Sequence, residues 1–71
     1  MSKFKANDVV KTDDGLQGVV LSGEYLINAR IRRTEDGLQE LYTGFIYNVQ
    51  IGVQIYPYLE RNLKILFSLE Y

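Results

Sequence analysis

Two near-identical segments, Lys11-Thr12-Asp13-Asp14-Gly15-Leu16-Gln17 and Arg33-Thr34-Glu35-Asp36-Gly37-Leu38-Gln39, stand 22 positions apart (Thr12 to Thr34) in a chain of 71 residues. Each centres on Asp-Gly. Gly accepts a positive φ and Asp can hydrogen-bond nearby backbone, so each segment marks a tight turn between strands. Tyr25 and Tyr47 keep the same offset. The repeat reads as two similar hairpin turns or as duplication of a two-stranded unit. A solenoid would need about three stacked units, and continuing the offset reaches Tyr56, Pro57 and Tyr58 with no third Asp-Gly. With Ser22-Gly23-Glu24 and Tyr56-Pro57 as further turn signals between runs rich in Val, Ile, Leu and Tyr, the spacing predicts an all-β chain.

Strands are expected near Asp8 to Thr12, Leu16 to Leu21, Tyr25 to Arg33, Leu38 to Ile55 with an interruption, and Leu63 to Leu69. Gly52 is the expected break in the long fourth run, with Asn48 the second choice, because a glycine inside a strand often marks a bulge or bend. In the third run Ile27, Ala29 and Ile31 alternate with Asn28, Arg30 and Arg32, which places an apolar row on one face. The expected core is Val10, Val19, Leu21, Ile27, Ile31, Phe45 and Ile65. The C-terminal segment fits both periods: Leu59, Leu63, Leu66 and Phe67 at helical spacing, and Leu63, Ile65, Phe67 and Leu69 in alternation. The reading favoured is one helical turn at Pro57 to Arg61 followed by a strand; the alternative is a longer helix starting at Pro57.

Composition limits the function classes. A mass of 8.2 kDa allows one domain, residues 1–71, around a small core. At 46% hydrophobic and 24% charged residues, the chain is too apolar to be disordered. It has neither Cys nor His, hence no disulfide framework, no thiolate or imidazole metal site and no usual general base. The core must stand unaided or be completed by oligomerisation. Net charge is −1, so binding to nucleic acid would need a local patch. Residues 1–5 carry no signal-peptide apolar run, and no apolar run approaches the roughly 20 residues of a membrane span. A cytoplasmic protein without membrane association is expected.

Five or six short antiparallel strands, tight turns and one helical turn before the last strand describe a small, strongly bent barrel. The order of features resembles the SH3-like barrel superfamily. The elements that carry the resemblance are Asn7-Asp8-Val9-Val10, Gly15-Leu16-Gln17-Gly18-Val19-Val20, and Pro57-Tyr58-Leu59-Glu60-Arg61-Asn62-Leu63. Within it, Val53-Gln54-Ile55-Tyr56-Pro57 resembles a segment of the plasmid-encoded type II dihydrofolate reductases, small SH3-like barrels in which four copies surround one pore. The resemblance implies Gln54 and Ile55 contacting pterin and nicotinamide, with Tyr56 helping to hold NADPH. The family's pore lysine falls at or beside Thr12 and Asp13, and Gly52 replaces its serine. Val49-Gln50-Ile51 repeats the Val-Gln-Ile pattern within the same run.

Other chemistry finds little inventory. Asp13, Asp14, Glu35 and Asp36 read as solvated turn residues rather than as a metal site, and Ser2, Ser22 and Ser68 have no His to activate them. Gly15 and Gly18 are not followed by a helix, so no phosphate loop is present. Arg30, Arg32 and Arg33, with Lys11 adjacent across a hairpin, form the basic concentration. With Tyr25 or Tyr42 nearby it could serve a weak single-stranded nucleic-acid binder, or be an outer face paired with Glu24, Glu35 or Glu40. Tyr42, Tyr56 and Tyr58 share the strand parity assigned outward, where an aromatic ring with a polar tip suits an interface. The leading expectation is a non-enzymatic SH3-like module that binds protein, or itself as a homo-oligomer, through Tyr42, Gln54, Tyr56 and Tyr58. It needs no cofactor, and its size suits an accessory protein of a phage or mobile element. The enzyme alternative is a tetrameric reductase using NADPH at Gln54, Ile55 and Tyr56.

Overall fold

The computed structural model describes residues 2–68. The strands are β1 (Val9–Thr12), β2 (Gln17–Arg33), β3 (Gln39–Ile51), β4 (Gln54–Leu59) and β5 (Leu63–Phe67), with one 3-10 turn, Glu60–Asn62, before the last. All pair antiparallel in a single sheet of order β4-β3-β2-β1-β5. Leu63 from one end of the sheet and Tyr58 from the other reach the same apolar cluster, so the sheet bends around its core as a barrel would. It is not closed: β4 and β5 remain its two edges.

The repeated segments form matching turns. Thr12 N–H donates to Leu16 O at 2.8 Å and Gly15 N–H to Thr12 O at 3.0 Å; Thr34 N–H donates to Leu38 O at 2.7 Å and Gly37 N–H to Thr34 O at 3.0 Å. Gly15 and Gly37 take φ of 87° and 85°, the left-handed conformation that glycine adopts without a Cβ clash. In both turns the threonine hydroxyl donates to the aspartate two residues on, Asp14 or Asp36. The fourth run breaks at Gly52, φ 62°, in a two-residue connection with Val53.

The turn expected at Ser22-Gly23-Glu24 is absent, and the two strands expected on either side of it are one 17-residue strand, β2. Gly23 lies opposite Tyr47 in β3, and a Cβ at Gly23 would sit 2.8 Å from the Tyr47 ring. Glycine here accommodates an aromatic ring rather than a chain reversal. The helical turn lies at Glu60–Asn62 rather than Pro57 to Arg61, and Pro57 belongs to edge strand β4. There its missing N–H costs no ladder bond on the free side. Leu69, the expected end of the last strand, lies outside the described residues.

The core comprises Phe4, Val10, Val20, Tyr47, Val49 and Leu63, with Phe45, Ile51 and Tyr58 packed against it. Of the expected core residues Val10 is fully buried, whereas Val19, Ile31 and Phe45 are half-buried, and Leu21, Ile27 and Ile65 are exposed. Register shifts between Val20 and Ser22 and between Leu26 and Ala29 explain much of the error, because each extra residue moves the following side chains to the other face. Ile27, inside the second bulge, is 73% exposed. The N-terminal segment supplies what the strand pattern lacked: the Phe4 ring meets Tyr47 edge-on at 5.2 Å. Buried Asp8 accepts from Lys5 N–H at 2.9 Å and from the Ser68 hydroxyl at 2.8 Å, tying the two ends of the described chain together.

From Tyr25 to Phe45, β2 and β3 pair, among the described residues, only with each other, forming a two-stranded arm. The radius of gyration is 13.0 Å, against about 11 Å for a compact chain of this length. The arm bends where Asn28 takes φ of 52° and Gly44, opposite Leu26, takes φ of 149°. Thr43 Oγ1 accepts from Asn28 N–H at 3.0 Å, and Tyr42 Oη donates to Phe45 O at 2.6 Å, which fixes the bend.

Candidate binding surfaces

The bend returns the arm toward the 3-10 turn, where Glu40 serves as a strap. Its Oε1 lies 2.8 Å from Arg32 Nε and its Oε2 2.9 Å from Arg61 Nη2. The hydrogen bond from Arg61, reinforced by the charge of Arg32, holds the Glu40 carboxyl below its ordinary pKa. The Arg61 guanidinium also lies 5.8 Å from the centroid of the Tyr42 ring, a cation–π contact. Arg61 is therefore held on one side by charge and on another by a ring.

Between arm and barrel runs a groove of about 620 Å³, lined by apolar Leu26, Ile31, Ile46, Pro57 and Leu59 and by charged Asp13, Arg30, Arg32, Glu40 and Arg61. A second hollow of about 400 Å³ shares Asp13, Arg61 and Asn62 with the first and adds Lys11 and Lys64. Lys11 and Lys64 face each other directly across β1 and β5. Together the two hollows gather five of the eight cationic side chains and only two of the nine acidic ones, in a chain whose net charge is −1.

The residues expected at a Tyr-rich face are not brought together on an outer surface. Tyr58 pairs with Tyr47 and Tyr56 with Val49, so both lie on the core side of the sheet. Tyr58 is half-buried, while Tyr56 is exposed at the sheet's end. Burial, and then the nearby Asp14 carboxylate, raise the Tyr58 phenol above its ordinary pKa. Tyr42 lies on the arm beside Arg61. Gln54 and Ile55 are exposed on edge strand β4, opposite Ile51 and Gln50 respectively. Thr12 is buried opposite Leu63, and Asp13 accepts from Asn62 Nδ2 at 3.0 Å.

Arg30 and Arg32 do share one surface, the first groove, but Lys11 joins them only through the second hollow, and Arg33 lines a third hollow at the arm tip, which meets the first at Arg32, with Glu35 and Asp36. Tyr25 is engaged edge-on with Phe45 at 5.2 Å. Sequence reasoning did not include Arg61 and Lys64 in the basic group. No local signal marks them, because they reach it through the return of the arm and the pairing of β5 with β1.

The exposed apolar surface is extensive. Ile65, Leu66 and Phe67 of edge strand β5 are 47%, 45% and 53% exposed, and Val53 at the β3–β4 connection is 90% exposed. Tyr25, Ile27, Leu38 and Leu41 are exposed along the arm. Among the described residues no three His, Cys, Asp or Glu side chains gather where they could hold a metal ion, and no helix is long and apolar enough to cross a membrane. What the surfaces offer chemically is cationic hydrogen-bond donors beside apolar walls, and an unpaired apolar strand edge. No family model matches the chain, and neither a curated protein nor a solved structure matches it at a significant level.

Proposed function

We propose that this chain is a non-enzymatic, SH3-like binding module that associates with a second copy of itself through the free edge of β5. The observation that carries the reading is the apolar character of that edge: Ile65, Leu66 and Phe67 in succession, with only Lys64 as a charge. Proteins ordinarily blunt such edges with charges, proline or a covering segment, because unpaired N–H and C=O groups beside apolar side chains recruit another strand. The opposite edge, β4, carries Pro57 and suits that pairing less.

Antiparallel pairing of β5 with its symmetry mate would give an isologous dimer, which closes without further growth. The test is molar mass by light scattering for wild type and Phe67→Glu. A dimer in the first and a folded monomer in the second are expected; a strict wild-type monomer overturns the reading.

A further inference from the structure

We propose a second site, which meets the β5 edge at Lys64: the trough formed by the two adjoining hollows binds an extended acidic polypeptide segment that also carries apolar side chains. Charge is the first argument. Set apart from the trough's surplus of three positive charges, the rest of the chain carries a net −4 at the stated total of −1. Lys11 and Lys64 stand directly opposite each other, an arrangement that costs stability in a sheet. Among the described residues neither has an acidic partner within ion-pair distance. An anionic ligand would relieve the repulsion between these two lysines.

The second argument is the mixed lining. Leu26, Ile31, Ile46 and Leu59 can bury aliphatic side chains, while Arg30 and Arg61 stand beside them to receive carboxylates. Arg61 lines both hollows and is already oriented by Glu40 and Tyr42, so little of its freedom remains to be lost on binding. A single-stranded nucleic acid fits less well. Among the described residues no aromatic side chain lines either hollow to stack a base, and the Asp13 and Glu40 carboxylates interrupt the row of cations that a continuous phosphate chain requires.

The test is fluorescence anisotropy with a labelled peptide of Glu-Glu-Leu repeats, its Gln-Gln-Leu counterpart and an oligo-dT strand. It is run on wild type, on the Lys11→Gln/Lys64→Gln variant and on Arg30→Gln, each also in the Phe67→Glu background so that self-association and peptide binding are read apart. Saturable binding of the acidic peptide is expected, with at least a roughly tenfold loss for the Gln peptide and for the double variant, and a fall in affinity with salt. Thermal melting of the double variant should match or exceed wild type, since a like-charge pair is removed. The proposal is overturned by absence of saturable binding, by equal affinity for the two peptides, or by unchanged affinity in both variants. Tighter binding of oligo-dT than of the acidic peptide also overturns it and assigns the trough to nucleic acid.

Discussion

The Tyr47 hydroxyl donates to the Glu60 carboxylate at 2.6 Å, and the same oxygen accepts from Lys3 N–H at 3.1 Å. One core residue of β3 thus joins the N-terminal segment to the 3-10 turn before β5. Removing only the hydroxyl, in Tyr47→Phe, leaves the ring packing with Phe4 and Phe45 intact but strips the Lys3 amide and Glu60 of a partner. A loss of about 1–3 kcal/mol in urea unfolding is expected. Loss within experimental error would mean that solvent replaces the hydroxyl at no cost.

Burial, and then the hydrogen bond to Glu60, raise the Tyr47 phenol above its ordinary value of 10.0. The unfolded chain therefore releases this proton first as pH rises. The stability linked to Tyr47 is complete below about pH 10 and is lost progressively from there up to the raised folded-state value. Tyr58 is shifted in the same direction and adds to the effect. In Tyr47→Phe the alkaline decline in melting temperature should be shallower than in wild type; parallel declines would remove Tyr47 as its source.

Gly23→Ala should be among the costly small substitutions. The added methyl would lie 2.8 Å from two carbons of the buried Tyr47 ring, closer than real contacts permit, so ring or strand must move. About 1–3 kcal/mol is expected, together with a change in near-ultraviolet circular dichroism as the tyrosine environment shifts. An unperturbed spectrum with wild-type stability would show that the ring does not rest on this glycine.

Paired truncations test which side chains form the core. Val20, 1% exposed, should cost about 2 kcal/mol when cut to Ala. Ile27→Ala, at the exposed bulge, should stay within about 0.5 kcal/mol of wild type. The reverse order of effects would restore the simple alternation of β2 and remove the bulge.

The expectation of reductase activity, drawn from the Val53-Gln54-Ile55-Tyr56-Pro57 sequence alone, is tested by absorbance. Thr12 is buried, and Asp13, hydrogen-bonded to Asn62, brings negative charge where that family has lysine. A purified sample should give no dihydrofolate-dependent oxidation of NADPH. Saturable oxidation that falls in Gln54→Leu would move the chain into the enzyme class.

The parts of the fold that are legible in the sequence are those closed by local chemistry. Thr12-Asp13-Asp14-Gly15 and Thr34-Glu35-Asp36-Gly37 complete their own hydrogen bonds, so the residue types alone specify the reversal. Gly52 likewise breaks the long run through its own backbone. Gly23 misleads because its purpose is set by Tyr47, far along the chain. Ile27 and Leu21 mislead because a bulge inverts parity without any residue-type signature. Arg30 and Arg32 could be picked out as a basic group from neighbouring positions, but Arg61 and Lys64 join it only once the arm bends and the sheet curls. Tyr56 and Tyr58 alternate as an outward pair would, yet the register with Val49 and Tyr47 turns them inward.

Among the described residues the arm from Tyr25 to Phe45 has no third strand, and it contributes little to the core, so its backbone amides should exchange with solvent through local openings that leave the barrel folded. Amides near Val10, Val20 and Val49 should wait for global unfolding. The Glu40–Arg61 contact then acts as a latch on a separately melting unit. In deuterium exchange, Glu40→Gln should release the arm's amides sooner while leaving those of the barrel unchanged. The free energy of opening at the hairpin, rather than that of the whole molecule, would thus decide how long the groove between arm and barrel keeps its shape.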